Sequence, residues 1–539
     1  MAATTKKGSL IVNSFLKRLT CLKFTLFLCA HALFLWPCAF GQEPATPIRL
    51  APGLPYLFVD DLLVDTQQNI HRTLHQPVKD GGGNEAAITL LHEFEEYSGT
   101  LEANGSIVFD PNLQRYVMFA IGYSPQWRAK RVWDYVRLYR FTSPDGITWQ
   151  KGDDGTPESV WPRTPDDLVD ALSGDAASNI DMFSCYYDPQ HADFPYRGWL
   201  HFANWGNERE GIYFMRSSDG KTWERGPMVV NACGGSNDPS AVRRQVNGVR
   251  LQGPGDVTLF SHDPISSRFL GLFKFYSPDD THPTGNLFRS RAYAFIESPD
   301  RVYDPNAIDA IDLVPAGALV NGDVAEDEYY GSSAWRYGSH WLGGLKVFHL
   351  EGDQPWSAAG CAFLKFAYSR DGLDWTKAPY ENEAGQPEIW LANGPEGGNS
   401  GRNDGGYMTE FSQGPLRVND DLIYYYAASS FGKNAGKNKR ITGGGIFRAR
   451  MRVDGFVSID SGTLTTRLLE APLTPLHVNA VGPIEVQVLS TEGAVVEKLE
   501  LRGDSLRHPV PVPAGPFRLK FALNEGARLY SLTLPKHVP

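Results

Sequence analysis

Carboxylates recur in this chain at one kind of place. Five segments open on an acidic residue that leads into an apolar run, then a polar turn, then a second apolar run. They carry Glu102 ahead of Ile107-Val108-Phe109, Asp181 ahead of Met182-Phe183, and Asp256 ahead of Val257-Thr258-Leu259-Phe260. The fourth holds the Asp327-Glu328 pair ahead of Tyr329-Tyr330, and the fifth runs from Asp404 through Glu410 to Ile423-Tyr424-Tyr425-Tyr426. A further pair, Asp60-Asp61, precedes Leu62-Leu63-Val64. Carboxyls of unequal environment support general acid–base chemistry. Burial or a neighbouring like charge lets one keep a proton while another stays ionised. Each of these acids also reads as a solvated turn acid or a strand-end cap.

Other chemistries find no support. His71 and His75 have a spacing of four, but Pro77 and strand-like flanks argue against the helix that would bring them together as metal ligands. Gly443-Gly444-Gly445 has no strand–helix context and no following lysine, so it is not a phosphate loop. No G-x-S-x-G, HExxH or CxxC pattern occurs. No cofactor is called for, no metal site is assigned, and a structural calcium ion is neither required nor excluded.

The elements that must position the acids are announced by a repeat. Ser143-Pro144-Asp145-Gly146-Ile147-Thr148-Trp149, Ser217-Ser218-Asp219-Gly220-Lys221-Thr222-Trp223 and Ser369-Arg370-Asp371-Gly372-Leu373-Asp374-Trp375 share the pattern S-x-D-G-x-x-W. Ser298-Pro299-Asp300 and Val453-Asp454-Gly455-Phe456 are degenerate copies. The aspartates fall 71 to 83 residues apart. Asp accepts from turn amides, Gly supplies a positive φ, and Trp pins the turn to a neighbouring sheet. Each full copy follows a strand-like run. A turn repeated at near-constant period between short strands means radial repetition, here five units longer than the roughly 40–50 residues of WD40 or kelch blades. The expected fold is all-β: a five-bladed β-propeller.

From about residue 463 the texture changes. Ile484, Val486 and Val488 alternate with polar residues, as do Phe517, Leu519, Phe521 and Leu523. This predicts a small C-terminal antiparallel β-sandwich. At the other end, residues 1–41 hold Lys6, Lys7, Lys17, Arg18 and Lys23, no acid, an apolar run from Phe24 to Trp36, and Ala39-Phe40-Gly41. That is a signal-peptide pattern, too short in its apolar run for a comfortable membrane span of about 20 residues. The expected division is residues 1–41 signal peptide, 42–462 propeller and 463–539 sandwich. The expected location is secreted or periplasmic, with no membrane attachment after cleavage. Removing the leader takes the formal charge from −11 to −16. A surface that acidic repels phosphate backbones, which excludes nucleic acid as a partner. The three cysteines beyond the leader, Cys185, Cys233 and Cys361, allow at most one disulfide.

The chain resembles the five-bladed propeller glycosidases, the architecture of glycoside hydrolase families 32, 43 and 68. It is more closely similar to secreted planctomycete-type proteins related to families 32 and 43. The closer likeness rests on Leu57-Phe58-Val59-Asp60-Asp61-Leu62-Leu63-Val64, Arg72-Thr73-Leu74-His75-Gln76-Pro77, Asp327-Glu328-Tyr329-Tyr330, Arg336-Tyr337-Gly338 and Asp454-Gly455-Phe456-Val457-Ser458-Ile459-Asp460. The W-x-N-D-P-N-G, R-D-P and E-C motifs of sucrose and fructan hydrolases are absent.

The resemblance implies an oligo- or polysaccharide partner and one acid each from blades one, two and three in a central funnel. By position these are Glu102 or the Asp60-Asp61 pair, then Asp181, then Asp256. Glu328, or Asp327, from blade four is the candidate general acid, and Asp60 or Asp61 the base or nucleophile. Aromatic faces stack on sugar rings. Trp127, Trp133, Trp205, Trp335 and Tyr407 stand in loop-like or strand-start segments, although core packing accounts for any one of them. Arg336 and Arg402 would bind a carboxylate or sulfate on an acidic sugar. The alternative is a non-catalytic carbohydrate-binding or surface propeller on the same scaffold, and a lyase or phosphorylase is a third reading.

Overall fold

The structure is a computed structural model of the 539-residue chain. It describes residues 46–89, 100–123, 136–152, 158–168, 179–203, 210–231, 243–246, 249–252, 254–278, 287–300, 313–314, 327–350, 360–386, 388–433, 444–472 and 475–536. Residues 1–41, the expected signal peptide, therefore lie outside the described residues.

Five antiparallel sheets succeed one another along the chain, and they form a five-bladed propeller. Blade 1 runs Thr100–Asp110, Arg115–Tyr123, Val136–Ser143, Glu158–Trp161 from its innermost strand outward. Blade 2 runs Asn179–Tyr187, Tyr196–Ala203, Gly211–Ser217, Trp223–Asn231. Blade 3 is built on Leu259–His262, Phe269–Pro278 and Leu287–Ile296, and blade 4 on Asp327–Ser332, His340–Leu350 and Gly360–Ser369 with Trp375–Lys377 outermost. Blade 5 takes Met408–Glu410, Asp421–Ala428 and Gly445–Arg452 from its own segment. Its outer strand comes from the other end of the chain: Val78–Lys79 and Ala86–Ile88 pair with Gly445–Arg452. The ring is thus closed by a strand from before blade 1, which ties the start of the described chain to the last blade.

All five turn aspartates follow the third strand of their blade. In the full copies the geometry is that expected of the motif. The Asp145 carboxylate accepts from the amides of Ile147 and Thr148 at 2.8 and 2.7 Å, and Ser143 Oγ accepts from Gly146 N–H at 2.9 Å. Gly146, Gly220 and Gly372 have φ of +73°, +71° and +85°, a region that costs other residues strain. Each motif tryptophan packs on an aromatic of the preceding blade. Trp149 meets Tyr425 of blade 5 at 5.6 Å, Trp223 meets Phe119 of blade 1 at 5.5 Å, and Trp375 meets Tyr293 of blade 3 at 5.0 Å. The repeat is a blade-to-blade rivet, and the copy in blade 1 helps seal the ring.

The copy after the third strand of blade 5 does another job. Asp454 itself takes the positive φ, +61°, and is buried. It accepts from Tyr337 Oη at 2.6 Å and Ser531 Oγ at 2.6 Å, tying blade 4 to the C-terminal sheet. Here the chain leaves the propeller. Val457–Thr466 enters a nine-stranded sheet that also contains Pro55–Leu57 and Val64–Leu74 from near the start of the described chain. One core, with Phe58, Leu464, Val486, Phe521 and Leu532, fills this unit. Strand pairing therefore cuts across a division at residue 462, because the segment from 55 to 74 pairs with the C-terminal strands rather than with a blade.

Candidate active site

Innermost strands of neighbouring blades do not share a ladder, and side chains bridge several of them. The Cys185 amide of blade 2 donates to Ser106 Oγ of blade 1 at 2.7 Å, and the Phe260 amide of blade 3 to Ser184 Oγ of blade 2 at 2.9 Å. The Ala103 amide of blade 1 donates to Thr409 Oγ1 of blade 5 at 2.9 Å, across 306 residues of chain. Each of these three links joins a backbone amide to a hydroxyl, and the Ser412 amide donates directly to the Gly105 carbonyl at 3.0 Å between blades 5 and 1.

The acids ride on the starts of these strands, next to irregularities in the pairing. The register shifts between Glu102 and Ser106 in blade 1, between Ile180 and Phe183 in blade 2, and between Tyr329 and Gly331 in blade 4. Asp181 and Tyr330 therefore sit within bulges, which re-aim side chains that a regular strand would alternate.

Five cations gather around these acids, three of them facing an acid directly. Lys274 is ion-paired with Asp256, and Arg289 with Glu328. Lys346 Nζ stands 3.9 Å from Glu410, both fully buried. Lys433 Nζ donates to Tyr330 Oη at 2.8 Å, and Arg291 donates to the carbonyls of Val257 and Leu272 at 2.8 and 2.6 Å. Burial pushes the Lys274 ammonium well below the ordinary lysine range, and the positive charges of Arg289 and Lys433 push it further. Burial also lowers Lys346 and raises Glu410, each opposed by the other's charge. Asp181 acts in the other direction, favouring the charged forms of both lysines. The walls are aromatic: Tyr330, Phe348 and Tyr407 lie with ring centroids 5.5 to 6.0 Å apart.

Exposure divides the acids. Glu328 and Glu410 are completely buried, and Glu102 nearly so, with a carboxylate oxygen accepting from Asn104 Nδ2 at 2.6 Å. Asp181 and Asp256 are only partly covered, the Asp256 side chain keeping 26% of its surface. The structure thus brings together Glu102, Asp181, Asp256, Glu328 and Tyr407, with Asp181 and Asp256 half-buried.

It does not bring Asp60 and Asp61 there. Asp60 accepts from Arg370 Nε at 2.8 Å and lies 3.3 Å from His340 Nε2, while exposed Asp61 takes Arg72 at 2.5 Å. His340 opens the second strand of blade 4, and Phe348, eight residues on, pairs with Glu328. At about 3.3 Å per residue the two ends are roughly 25 Å apart. The Asp60 carboxyl is nonetheless held far below the usual range; burial opposes that shift, and His340 and Arg370 outweigh it. Its work is to anchor the entering chain beneath blade 4. Trp335 is also away from the channel, buried in a core where it stacks on Trp390 at 6.0 Å. Arg336 points its guanidinium at the Arg370 carbonyl at 3.5 Å, on the side of Asp60. Arg402 is exposed on the connection leading to Tyr407. Trp127, Trp133 and Trp205 lie outside the described residues. Asp327 accepts from His349 at 2.9 Å at the rim beside Glu328.

The cations and Glu410 are the members that the sequence reading leaves out of the site. Glu410 occupies in blade 5 the place that Glu102 and Glu328 hold in theirs. Lys274, Arg289 and Lys346 sit inside otherwise apolar strands, as in Phe273-Lys274-Phe275 and Leu345-Lys346-Val347. A charge at the centre of a buried strand must find a partner, and that was the available signal. Among the described residues, no group of three or more His, Cys, Asp or Glu is placed to hold a metal ion.

No protein-family model matches the chain, and no curated protein matches it. Solved structures similar to it include a fructofuranosidase from Schwanniomyces occidentalis complexed with fructosylnystose, at 8% identity and TM-score 0.36, covering 87% of this chain and 96% of that one. A family 117 glycoside hydrolase from the marine bacterium Zobellia galactanivorans aligns at 10% identity and TM-score 0.35, over 71% of this chain and 91% of the other. A structure from the GH130 family of mannoside phosphorylases and glycoside hydrolases aligns at 11% identity and TM-score 0.38, over 72% and 96%. At these scores the five-blade assignment rests on the strand pairing of this chain itself.

Proposed function

We propose that the protein is a glycoside hydrolase, exported by its leader, whose working carboxyls are Asp181 and Asp256. The observation that carries this reading is their exposure: of the acids gathered at the propeller axis, these two are half-buried, while Glu102, Glu328 and Glu410 are buried.

Cleavage needs one carboxyl to give a proton to the leaving oxygen and another to act on the opposite face of the ring. Asp256 is the proposed donor. Its partner Lys274 is fully buried, where burial and the charges of Arg289 and Lys433 disfavour the ammonium. Asp181, set in its bulge near Lys274 and Lys346, is the base or nucleophile. In the hydrolytic step the glycosidic C–O bond breaks, the leaving oxygen takes the Asp256 proton, and water supplies the new C–O bond and restores the proton. Glu328, proposed as general acid from its position in sequence, is better suited to fix Arg289 in place, because it is fully buried against that guanidinium. Tyr407 contributes a buried wall.

The test is hydrolysis of a panel of plant and algal polysaccharides by the full chain, with Asp181→Asn and Asp256→Asn beside it. Loss of about 10²–10⁴-fold in rate with unchanged melting is expected of each variant. Activity retained by both variants would refute the assignment. Sugar binding without cleavage by the parent protein would favour the non-catalytic reading.

A further inference from the structure

Blade 2 carries an ionisable pair that the proposed hydrolysis leaves unused. His201 and Glu210 stand together with Nε2 3.7 Å from Oε1, and each side chain is only 1% exposed. Among the described residues, neither ring nitrogen of His201 has a hydrogen-bond partner, nor has Glu210 Oε2. Their surroundings are apolar. Two residues before His201 on the same strand, and so on the same face, Trp199 stacks on Phe260 of blade 3 at 4.4 Å. Ile212, which pairs with His201 across the ladder, packs in the same core as both. A buried polar group left without a bond is costly, and apolar side chains of similar shape would fill this place more stably. Packing therefore does not account for the pair.

Strand register shows where the pair stands. Between the pairs Ile180–Phe202 and Phe183–Leu200, blade 2 sets two residues, Asp181 and Met182, against one, His201. His201 is thus the residue behind the bulge that aims Asp181. The bulge as such does not call for a histidine. In blade 1 the residues from Ala103 to Gly105 stand between the pairs Glu102–Ile121 and Ser106–Phe119, and the residue facing them is Ala120. Glu210 heads the neighbouring strand, one residue ahead of Gly211, whose partner on the second strand is Phe202, next to His201. Asp181 favours the charged forms of Lys274 and Lys346, so it is held by charge from the axis as well as by the strand behind it.

Resting on the hydrolase reading, we propose that His201, backed by Glu210, is a positioning residue for Asp181. With one proton between Nε2 and Glu210, Nδ1 carries another that it donates toward the bulge. Hydrogen bonds around a working carboxylate are commonly long in a free enzyme and tighten when substrate is bound. At 3.7 Å the contact between His201 and Glu210 is too long for a hydrogen bond and has that slack to take up. Its closure fixes the imidazole, and the imidazole fixes the bulge, so that the Asp181 carboxylate meets the sugar at one angle. A misplacement of about 1 Å costs on the order of 10²-fold in rate. The pair therefore acts on turnover through Asp181 and touches no substrate itself.

The test is steady-state kinetics and thermal melting of the full chain on a polysaccharide that the parent protein cleaves. His201→Phe should lower kcat by at least about tenfold with KM held within about twofold. His201→Asn, whose amide nitrogen stands near the place of Nδ1, should recover part of that loss. His201→Phe combined with Glu210→Leu replaces both partners by apolar side chains. It should melt no lower than the parent and keep the loss in kcat, which separates lost positioning from lost folding. Added to Asp181→Asn, His201→Phe should cause no further loss, because it acts through that carboxyl. Unchanged kcat in His201→Phe, a loss that multiplies with that of Asp181→Asn, or a kcat that merely tracks melting temperature across the variants would each overturn the inference while hydrolysis by the parent stands. A parent chain that cleaves nothing would overturn the hydrolase reading and this inference with it, so the parent's activity tells the two failures apart.

Discussion

The two ends of a blade follow opposite rules. In blade 4, Ser369, just before the turn aspartate Asp371, pairs with Trp341, whereas Glu328 pairs with Phe348. Seven residues separate Trp341 from Phe348, roughly 23 Å along one strand. At the turn end the same chemistry is repeated: Asp145, Asp219 and Asp371 each cap a turn, and the following glycines share one backbone conformation. At the channel end no two blades are alike. The ionisable residues there differ in type, in partner and in exposure. A feature repeated around a ring serves the ring, because each blade must dock on the next in the same way. A feature that varies around the ring converges on one asymmetric ligand.

The sharpest way to break this contrast is a pair of substitutions. Asp256→Asn should lower hydrolysis by about 10²–10⁴-fold with little change in melting temperature. Asp219→Ala should leave kcat/KM unchanged and cost about 0.5–2 kcal/mol of stability through lost turn bonds. Steady-state kinetics and thermal melts of the two proteins decide it, and the reverse pattern would dissolve the distinction.

Stability separates the regions next. Arg289→Met strands the buried Glu328 carboxylate and should cost about 3–5 kcal/mol, since removing one partner of a buried pair leaves an uncompensated charge. Trp223→Ala removes the rivet between blades 1 and 2 and should cost a similar 3–5 kcal/mol or so, by deleting packing. Arg289→Met combined with Glu328→Leu should recover much of the first loss, while no second substitution at a charge rescues the tryptophan variant. Denaturant unfolding measures each.

A smaller effect concerns pH, and the two ends should respond with opposite sign. Amides of Thr148 and Ile147 hold the Asp145 carboxyl down at about 2, from an ordinary 3.8. The stability this gives is present above 3.8 and is lost as pH falls toward 2. Burial lifts Glu410 above its ordinary 4.5. Its contribution is present below 4.5 and is lost as pH rises through the folded value, because the folded state binds the extra proton. Melting curves across pH should therefore show Asp145→Asn converging on the parent protein in acid, and Glu410→Gln gaining on it as pH rises above 4.5. Parallel curves for Glu410→Gln and parent would mean that the channel floor is not dry.

Local chemistry was legible in the sequence wherever a function closes within a few residues. The S-x-D-G-x-x-W turn is complete in seven residues, so its Asp, Gly and Trp announce both the hairpin and the blade count. The strand-leading acids were legible for the same reason, as a polar residue at the head of each apolar run. Asp60 and Asp61 have that local signature and yet stand about 25 Å from Glu328 by strand length, since the segment that holds them was captured by the C-terminal sheet. Which acids meet, which stay half-buried and which cation answers each was decided only by closure of the ring. That closure sets Thr409 against Ala103, and Lys433 against Tyr330. Pairings across a hundred or more residues leave no periodic trace, because their geometry is fixed by blade packing and bulges, and no short stretch of chain encodes those alone.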